Sequence, residues 1–179
     1  ALISDPQMPR KAQAGQLDDI RACVACNQAC IGHMLNACSI SCIQNPETGR
    51  ELIYGTPKAT LLPRKVMVVG GGPAGLKAAA VAAERGHNVT LFEVDTLLGG
   101  QVNLAQLLPG RAEFGGVTTN LSREVHRAGV HVHLNTRVTR DLIDEFAPDV
   151  IVLATGATPY APAIEGSEDA HVVSAWEVL

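Results

Sequence analysis

The run Lys65-Val66-Met67-Val68-Val69-Gly70-Gly71-Gly72-Pro73-Ala74-Gly75 decides the fold. Lys65–Val69 is short and almost wholly apolar, the pattern of a parallel strand buried on both faces. Three glycines follow. Pro73 to Arg85 is then Ala-rich with helical spacing, and Gly86 is the expected stop. Gly70-x-Gly72-x-x-Gly75 thus falls where a dinucleotide fingerprint needs it, after a strand and at the opening of a helix. Gly70 permits a tight turn, Gly72 lets the main chain approach a pyrophosphate, and Gly75 lets the helix pack closely on the strand. Pro73 and Ala74 open a helix whose free N–H groups would face the anion.

Downstream, Asn88–Glu93 reads as a second strand. Glu93 ends it 23 residues after Gly70. A carboxylate there hydrogen-bonds adenosine ribose hydroxyls and repels a 2′-phosphate, which argues against NADP at this site. Helices are expected over Arg111–Ala128 and Asp141–Phe146, and strands over Val130–Leu134 and Val150–Ala154. The alternation predicts an α/β, Rossmann-like domain, a parallel sheet with flanking helices. Leu98-Gly99-Gly100-Gln101 offers main-chain N–H groups to a second stretch of a dinucleotide. Ala154-Thr155-Gly156 closes the last strand with a small-residue turn. Together the pieces resemble the flavoproteins with two dinucleotide-binding domains, such as the glutathione reductase group. In that group the Ala-Thr-Gly turn lies close to the dinucleotide. FAD and bare ADP share the adenosine pyrophosphate, so both remain open.

Upstream the character changes. Prolines and polar residues from Gly55-Thr56-Pro57-Lys58 to Pro63-Arg64 suggest a linker, dividing the chain into residues 1–60 and 61–179. All five cysteines lie between positions 23 and 42. Cys23-x2-Cys26-x3-Cys30-x11-Cys42 offers four thiolates, suited to zinc or to an iron–sulfur cubane. The spacing fits zinc ribbons poorly, because those pair two C-x2-C knuckles. Three close thiolates suit the corners of a cubane. Cys38 is left over and reads as a small buried hydrophobe. Asn27 and Gln28 are candidate donors to cluster sulfurs. His131 and His133 share a strand face and read as ordinary surface or core histidines.

Composition narrows the classes further. A net charge of −4 argues against an electrostatic nucleic-acid binder. No apolar run reaches the roughly 18 residues of a membrane span. A tight cysteine cluster without a signal-peptide pattern points to a reducing compartment, the cytoplasm. The absence of an initiator Met suggests a chain cut from something longer.

The run Asp18-Asp19-Ile20-Arg21-x-Cys23-x-x-Cys26-Asn27-Gln28-x-Cys30, then Cys42-x-Gln44-Asn45-Pro46, then Val68–Gly75, resembles the 2,4-dienoyl-CoA reductase and trimethylamine dehydrogenase family. These are the multidomain relatives of old yellow enzyme. Leu98–Asn103, Leu108-Pro109-Gly110 and Glu113-Phe114 extend the likeness. The resemblance implies Cys23, Cys26, Cys30 and Cys42 as ligands of a 4Fe-4S cluster. It implies FAD, or only ADP, at the glycine fingerprint, and FMN in an amino-terminal barrel of the parent. Residues 2–6 resemble the end of that barrel. The expected partners are that barrel, a pyridine-nucleotide domain, and NAD(P)H or an electron acceptor.

The parent would then be an NAD(P)H-dependent enoate reductase of the dienoyl-CoA type. The cluster would relay electrons between FAD and FMN. The three-residue gap between Cys26 and Cys30, Asn27-Gln28 and Gly100-Gln101 lean that way; Gln44-Asn45-Pro46-x-x-Gly49 leans at least as much toward the amine dehydrogenases. No catalytic residue is expected in this segment. A zinc-stapled, nonenzymatic nucleotide-binding module is a different class that the same residues allow.

Overall fold

The computed structural model describes residues 2–55 and 58–178; Thr56 and Pro57 of the expected linker lie outside them. Three short helices come first: α1 (Met8–Gln13), α2 (Ile31–Leu35) and α3 (Glu51–Tyr54). The α/β unit then runs β1 (Lys65–Val69), α4 (Pro73–Glu84), β2 (Asn88–Phe92), α5 (Val102–Ala105), α6 (Gly115–Arg127), β3 (His131–His133), α7 (Arg140–Phe146) and β4 (Val150–Leu153). A last turn of helix, α8, spans Ala175–Val178.

The strands form one parallel sheet in the order β3-β2-β1-β4. Lys65 pairs with Asn88, Val66 with Val150, and Thr90 with His131. This is the expected α/β class. Strand β1 lies between β2 and β4, with Val66, Met67 and Val68 buried. Alternation then sorts its side chains. Val66 and Val68 meet Leu76, Ala79 and Ala80 of α4 and Leu121 and Val125 of α6. Ala79 and Ala80 are small enough for α4 to settle directly onto the strands. Burying each of Leu76, Leu91 and Val68 contributes about 1.5–3 kcal/mol.

On the other face Phe92 stacks on His133 at 5.1 Å and meets Phe146 of α7 edge-on at 5.5 Å. Helix α7 starts on Thr139, whose hydroxyl accepts the Leu142 N–H at 3.3 Å, and stops at Ala147 in the left-handed region. The expected Arg111–Ala128 helix begins later: a short 3-10 turn, Ala112–Phe114, precedes α6. Gly115 and Gly116 are the first two residues of α6, and these weak helix formers mark the break from the preceding turn. Strand β4 is an edge of the sheet, and Leu153 on it is 75% exposed. Among the described residues no helix is long and apolar enough to cross a membrane.

The cysteine-bearing segment docks on α4 and α6 through one largely buried carboxylate. Glu124 of α6 accepts from Arg21 Nε at 3.2 Å and from Lys77 Nζ of α4 at 2.8 Å. Arg21 also donates Nη1 to Ser4 O at 3.2 Å, and its amide donates to Asp5 Oδ2 at 2.8 Å. Asp5, itself buried, further accepts Lys11 Nζ at 2.6 Å. Val24 of the cysteine loop is buried, and a Cβ on Gly116 of α6 would stand 3.9 Å from its Cγ1.

Burial pushes the Glu124 pKa up. The Lys77 hydrogen bond and the charges of Arg21 and Lys77 outweigh it and hold the carboxyl below its ordinary value. Asp5 is likewise lowered: burial raises it, but the Lys11 hydrogen bond, the Arg21 amide and the Lys11 charge prevail. A depressed carboxyl stabilises the fold fully above its unfolded pKa, and loses that contribution as pH falls through its native value. Wild-type stability should therefore decline from roughly pH 5 downward. Glu124→Gln should cost about 2 kcal/mol at neutral pH, because Arg21 and Lys77 lose their counter-ion, and should flatten the acid limb. Urea melts of both proteins between neutral and acid pH check this; an unchanged acid limb would refute it.

Candidate functional site

The carboxyl edge of the sheet opens into a cleft of about 710 Å³. Three loops build it. After β1, Gly70 turns with φ +106° and its amide donates to Phe92 O at 2.8 Å. A Cβ on Gly70 would collide with Ala154 O, so only glycine fits. After β4, the Ala154 amide donates to Val69 O at 2.8 Å, and this draws the Ala154-Thr155-Gly156 turn against the glycine loop. After β2, the Gly99 amide donates to Gly71 O at 2.9 Å. Gly100 then lies so close that a Cβ on it would stand 3.3 Å from Gly72 Cα.

Gly70, Gly72, Pro73, Ala74, Glu93, Gly100, Gln101, Ala154, Thr155 and Gly156 all line the cleft. Gly75 and Gly99 stand behind it. A Cβ on Gly75 would strike Gly70 O and lie 3.2 Å from the Ala154 Cβ, so its role is packing. A Cβ on Gly99 would run into the Asn103 and Thr118 side chains. Gly72 behaves in the opposite way, with no heavy atom within 4 Å of a Cβ built there. The main chain at Gly72 thus faces open cleft at the start of α4, a cradle a side chain would fill.

Glu93 is buried just past β2. Its carboxylate accepts the Gly71 N–H through Oε2 and the Asp95 N–H through Oε1 at 2.8 Å. The acid is held at the lip by two amides. Gln101 crosses the cleft, donating Nε2 to Ala157 O at 2.6 Å. The sequence reading missed the loop after β3. There the Thr136 amide donates to Glu93 O at 2.8 Å, and Thr136, Arg137 and Val138 reach the cleft wall. The signal was Asn135-Thr136, with Asn135 in the left-handed region of a tight turn. Asp95, Asn103, Leu104 and Trp176 were also missed. Trp176 has no local signature beyond being the one tryptophan of the chain.

The cysteines occupy a separate loop. The Ser41 amide donates to Ala29 O at 2.8 Å, and Gln44 Nε2 donates to Ala22 O at 2.7 Å. These bonds carry the chain back so that Cys42 returns beside the Cys23–Cys30 stretch. The Ala25 amide donates to Cys23 Sγ at 3.4 Å, while Asn27 and Gln28 are exposed. Ala25, Asn27 and Ala37 have left-handed φ values of 53°, 54° and 54°. Such strain persists where the surroundings demand the loop shape. All five thiols are free, and among the described residues no three metal-ligating groups converge as they would around a single ion. Cys38 corrects one expectation. It is exposed rather than buried, with Sγ against Asn36 O at 3.5 Å, because the turn after α2 carries it outward. His131 and His133 are also exposed, on the short edge strand β3.

A glycine turn on β1, an acid after β2 and an anion-ready helix define the class: a dinucleotide-binding oxidoreductase domain. The chain belongs to the pyridine nucleotide-disulphide oxidoreductase family, which matches residues 64–178. It is 42% identical over 181 residues to an NADH oxidase of Thermoanaerobacter brockii, covering 99% of this chain and 28% of that protein. It is 42% identical over 190 residues to an N,N-dimethylglycine/sarcosine dehydrogenase of Chromohalobacter salexigens, covering 100% of this chain and 27% of that protein. The solved structure of a 2-naphthoyl-CoA reductase complex superimposes with a TM-score of 0.90 at 36% identity, over 94% of this chain and 26% of that one. These relatives bear out the resemblance to the old-yellow-enzyme-related oxidoreductases. The chain spans about a quarter of their length.

Gly75→Ala should destabilise the fold by about 3 kcal/mol, since its Cβ meets main-chain oxygen. Gly72→Ala should leave stability within about 0.5 kcal/mol. Thermal melts of the two variants check the contrast; a Gly75→Ala protein as stable as wild type would contradict the packing role.

Proposed function

We propose that this chain is the electron-relay segment of an iron–sulfur flavoprotein oxidoreductase. Residues 61–179 bind FAD or ADP. Residues 1–60 carry the end of a barrel and a 4Fe-4S cluster held by Cys23, Cys26, Cys30 and Cys42. The single observation behind this reading is the junction. Arg21, two residues before Cys23, and Lys77, five after Gly72, share Glu124. A thiol loop and a dinucleotide cleft are thereby tied to each other by one largely buried charge.

The cleft residues suit an adenine dinucleotide. Gly72 leaves the main chain open to a pyrophosphate, and Pro73 and Ala74 start a 12-residue helix there. Glu93 keeps its remaining lone pairs for ribose hydroxyls and disfavours a 2′-phosphate. Gly100 and Gln101 hold the opposite wall. The Ala25 amide lends a hydrogen bond to the Cys23 sulfur, the kind of contact that favours thiolate and tunes a cluster. When bound, FAD would supply two-electron chemistry and the cluster single-electron transfer. The chain's own task is to hold both in place; none of its side chains is assigned to act on substrate.

For the parent we propose an NAD(P)H-dependent enoate reductase of the 2,4-dienoyl-CoA type, cytoplasmic, with FMN in its barrel. The CoA-thioester reductase among the structural relatives supports it. A second reading, an amine dehydrogenase with bound ADP that passes electrons to an acceptor, is favoured by the dimethylglycine/sarcosine dehydrogenase. A nonenzymatic zinc module is disfavoured. The C-x2-C-x3-C start does not pair two C-x2-C knuckles, as zinc ribbons do.

Anaerobically purified protein should absorb broadly near ~400 nm and carry about four irons per chain. Alanine at Cys23, Cys26, Cys30 or Cys42 should remove most of the iron, and Cys38→Ala should remove none. Gly72→Ala should weaken ADP binding about tenfold or more, by calorimetry, while the fold stays intact. Colourless protein holding one zinc per chain would overturn the relay.

A further inference from the structure

We propose that Trp176 stacks on the second ring system of a dinucleotide bound in the cleft, the isoalloxazine of FAD, and so makes the cleft prefer FAD over bare ADP. The inference rests on reading the cleft as an adenine-dinucleotide site, and it assigns a residue to the half of the ligand that ADP lacks.

The layout of the cleft carries it. Strand order β3-β2-β1-β4 sets the loops in a row along the carboxyl edge. Glu93, Asp95 and Thr136–Val138 follow β2 and β3 and occupy one end. The glycine turn after β1 is in the middle, where the pyrophosphate goes. Ala154–Ala157 follow β4 at the other end. An adenosine held at Glu93 therefore sends the rest of the ligand toward β4. There Gln101 pins Ala157, and Trp176 lines the same cleft.

Trp176 suits the role. Only Phe92 and Trp176 are aromatic among the residues lining the cleft. Phe92 is already engaged with His133 and Phe146. Among the described residues no ring packs on Trp176, and it is 39% exposed. The turn carrying it is tied at both ends. The Ser174 amide donates to Glu177 Oε2 at 2.6 Å, and the Glu177 amide donates to Ser174 O at 3.0 Å. An exposed indole on the wall of a nucleotide cleft, with no ring stacked on it among the described residues, is a stacking platform for a planar heterocycle.

The test uses the 179-residue chain, with FAD and ADP titrated separately by calorimetry. Trp176→Ala should weaken FAD about tenfold and leave ADP within about twofold, and Trp176→Phe should keep most of the FAD affinity. As a check independent of folding of the variants, FAD should shield the tryptophan of the wild-type protein from acrylamide quenching and ADP should not. Equal losses for FAD and ADP, no loss for either, or a tryptophan equally open to acrylamide with FAD bound would each overturn the assignment. Failure of wild-type protein to bind ADP at all would overturn the reading of the cleft itself.

Discussion

The approach of three backbone segments at Gly70, Gly75 and Ala154 is the constraint on which the cleft depends. A methyl group on either glycine would overlap a main-chain oxygen. With both positions bare, α4 seats its first turn against the ends of β1 and β4, and its free N–H groups point into the cleft. Glu93 then locks the turn from the side by accepting the Gly71 amide. The site is therefore shaped largely by main chain at the three glycine-bearing turns.

The second organising contact is electrostatic. Asp18–Arg123 and Asp19–Arg127 also bridge the cysteine segment and α6, but they are more exposed and contribute little each. Glu124 differs because its partners come from two directions and water is largely excluded. Its charge decides whether Arg21 and Lys77 are tolerated where they are. The thiol loop inherits its position from that balance, through Arg21 and Val24, rather than from a hydrophobic core of its own.

The sheet was legible because its strands are apolar runs with glycine turns at their ends, and because a parallel crossover has one hand. The cleft was legible wherever backbone geometry demands a residue type, as at Gly70, Gly75 and Gly100. It was illegible at Thr136–Val138 and Trp176. Those positions join the cleft through tertiary placement, and a loop residue that contributes a wall leaves no periodic trace. Gly75 packs α4 on the strand, as its place in the fingerprint predicts, whereas Gly99, read with Gly100 as offering its amide to a ligand, stands one layer back. A spacing motif records which positions must be small, not which side the ligand lies on. Cys38 was misplaced for a related reason: cysteine is usually buried, and a five-residue helix followed by a left-handed turn at Ala37 overrides that habit.

Strand β4 has a consequence for anyone handling the chain in solution. It bonds β1 along one side, and among the described residues no strand pairs with its other side, where Leu153 and Ile151 are exposed. Natural sheets usually blunt such an edge with charge, proline or a bulge, and Val150–Leu153 has none of these. An edge of that kind invites pairing with another strand, and dilution becomes a control variable in any melt or titration.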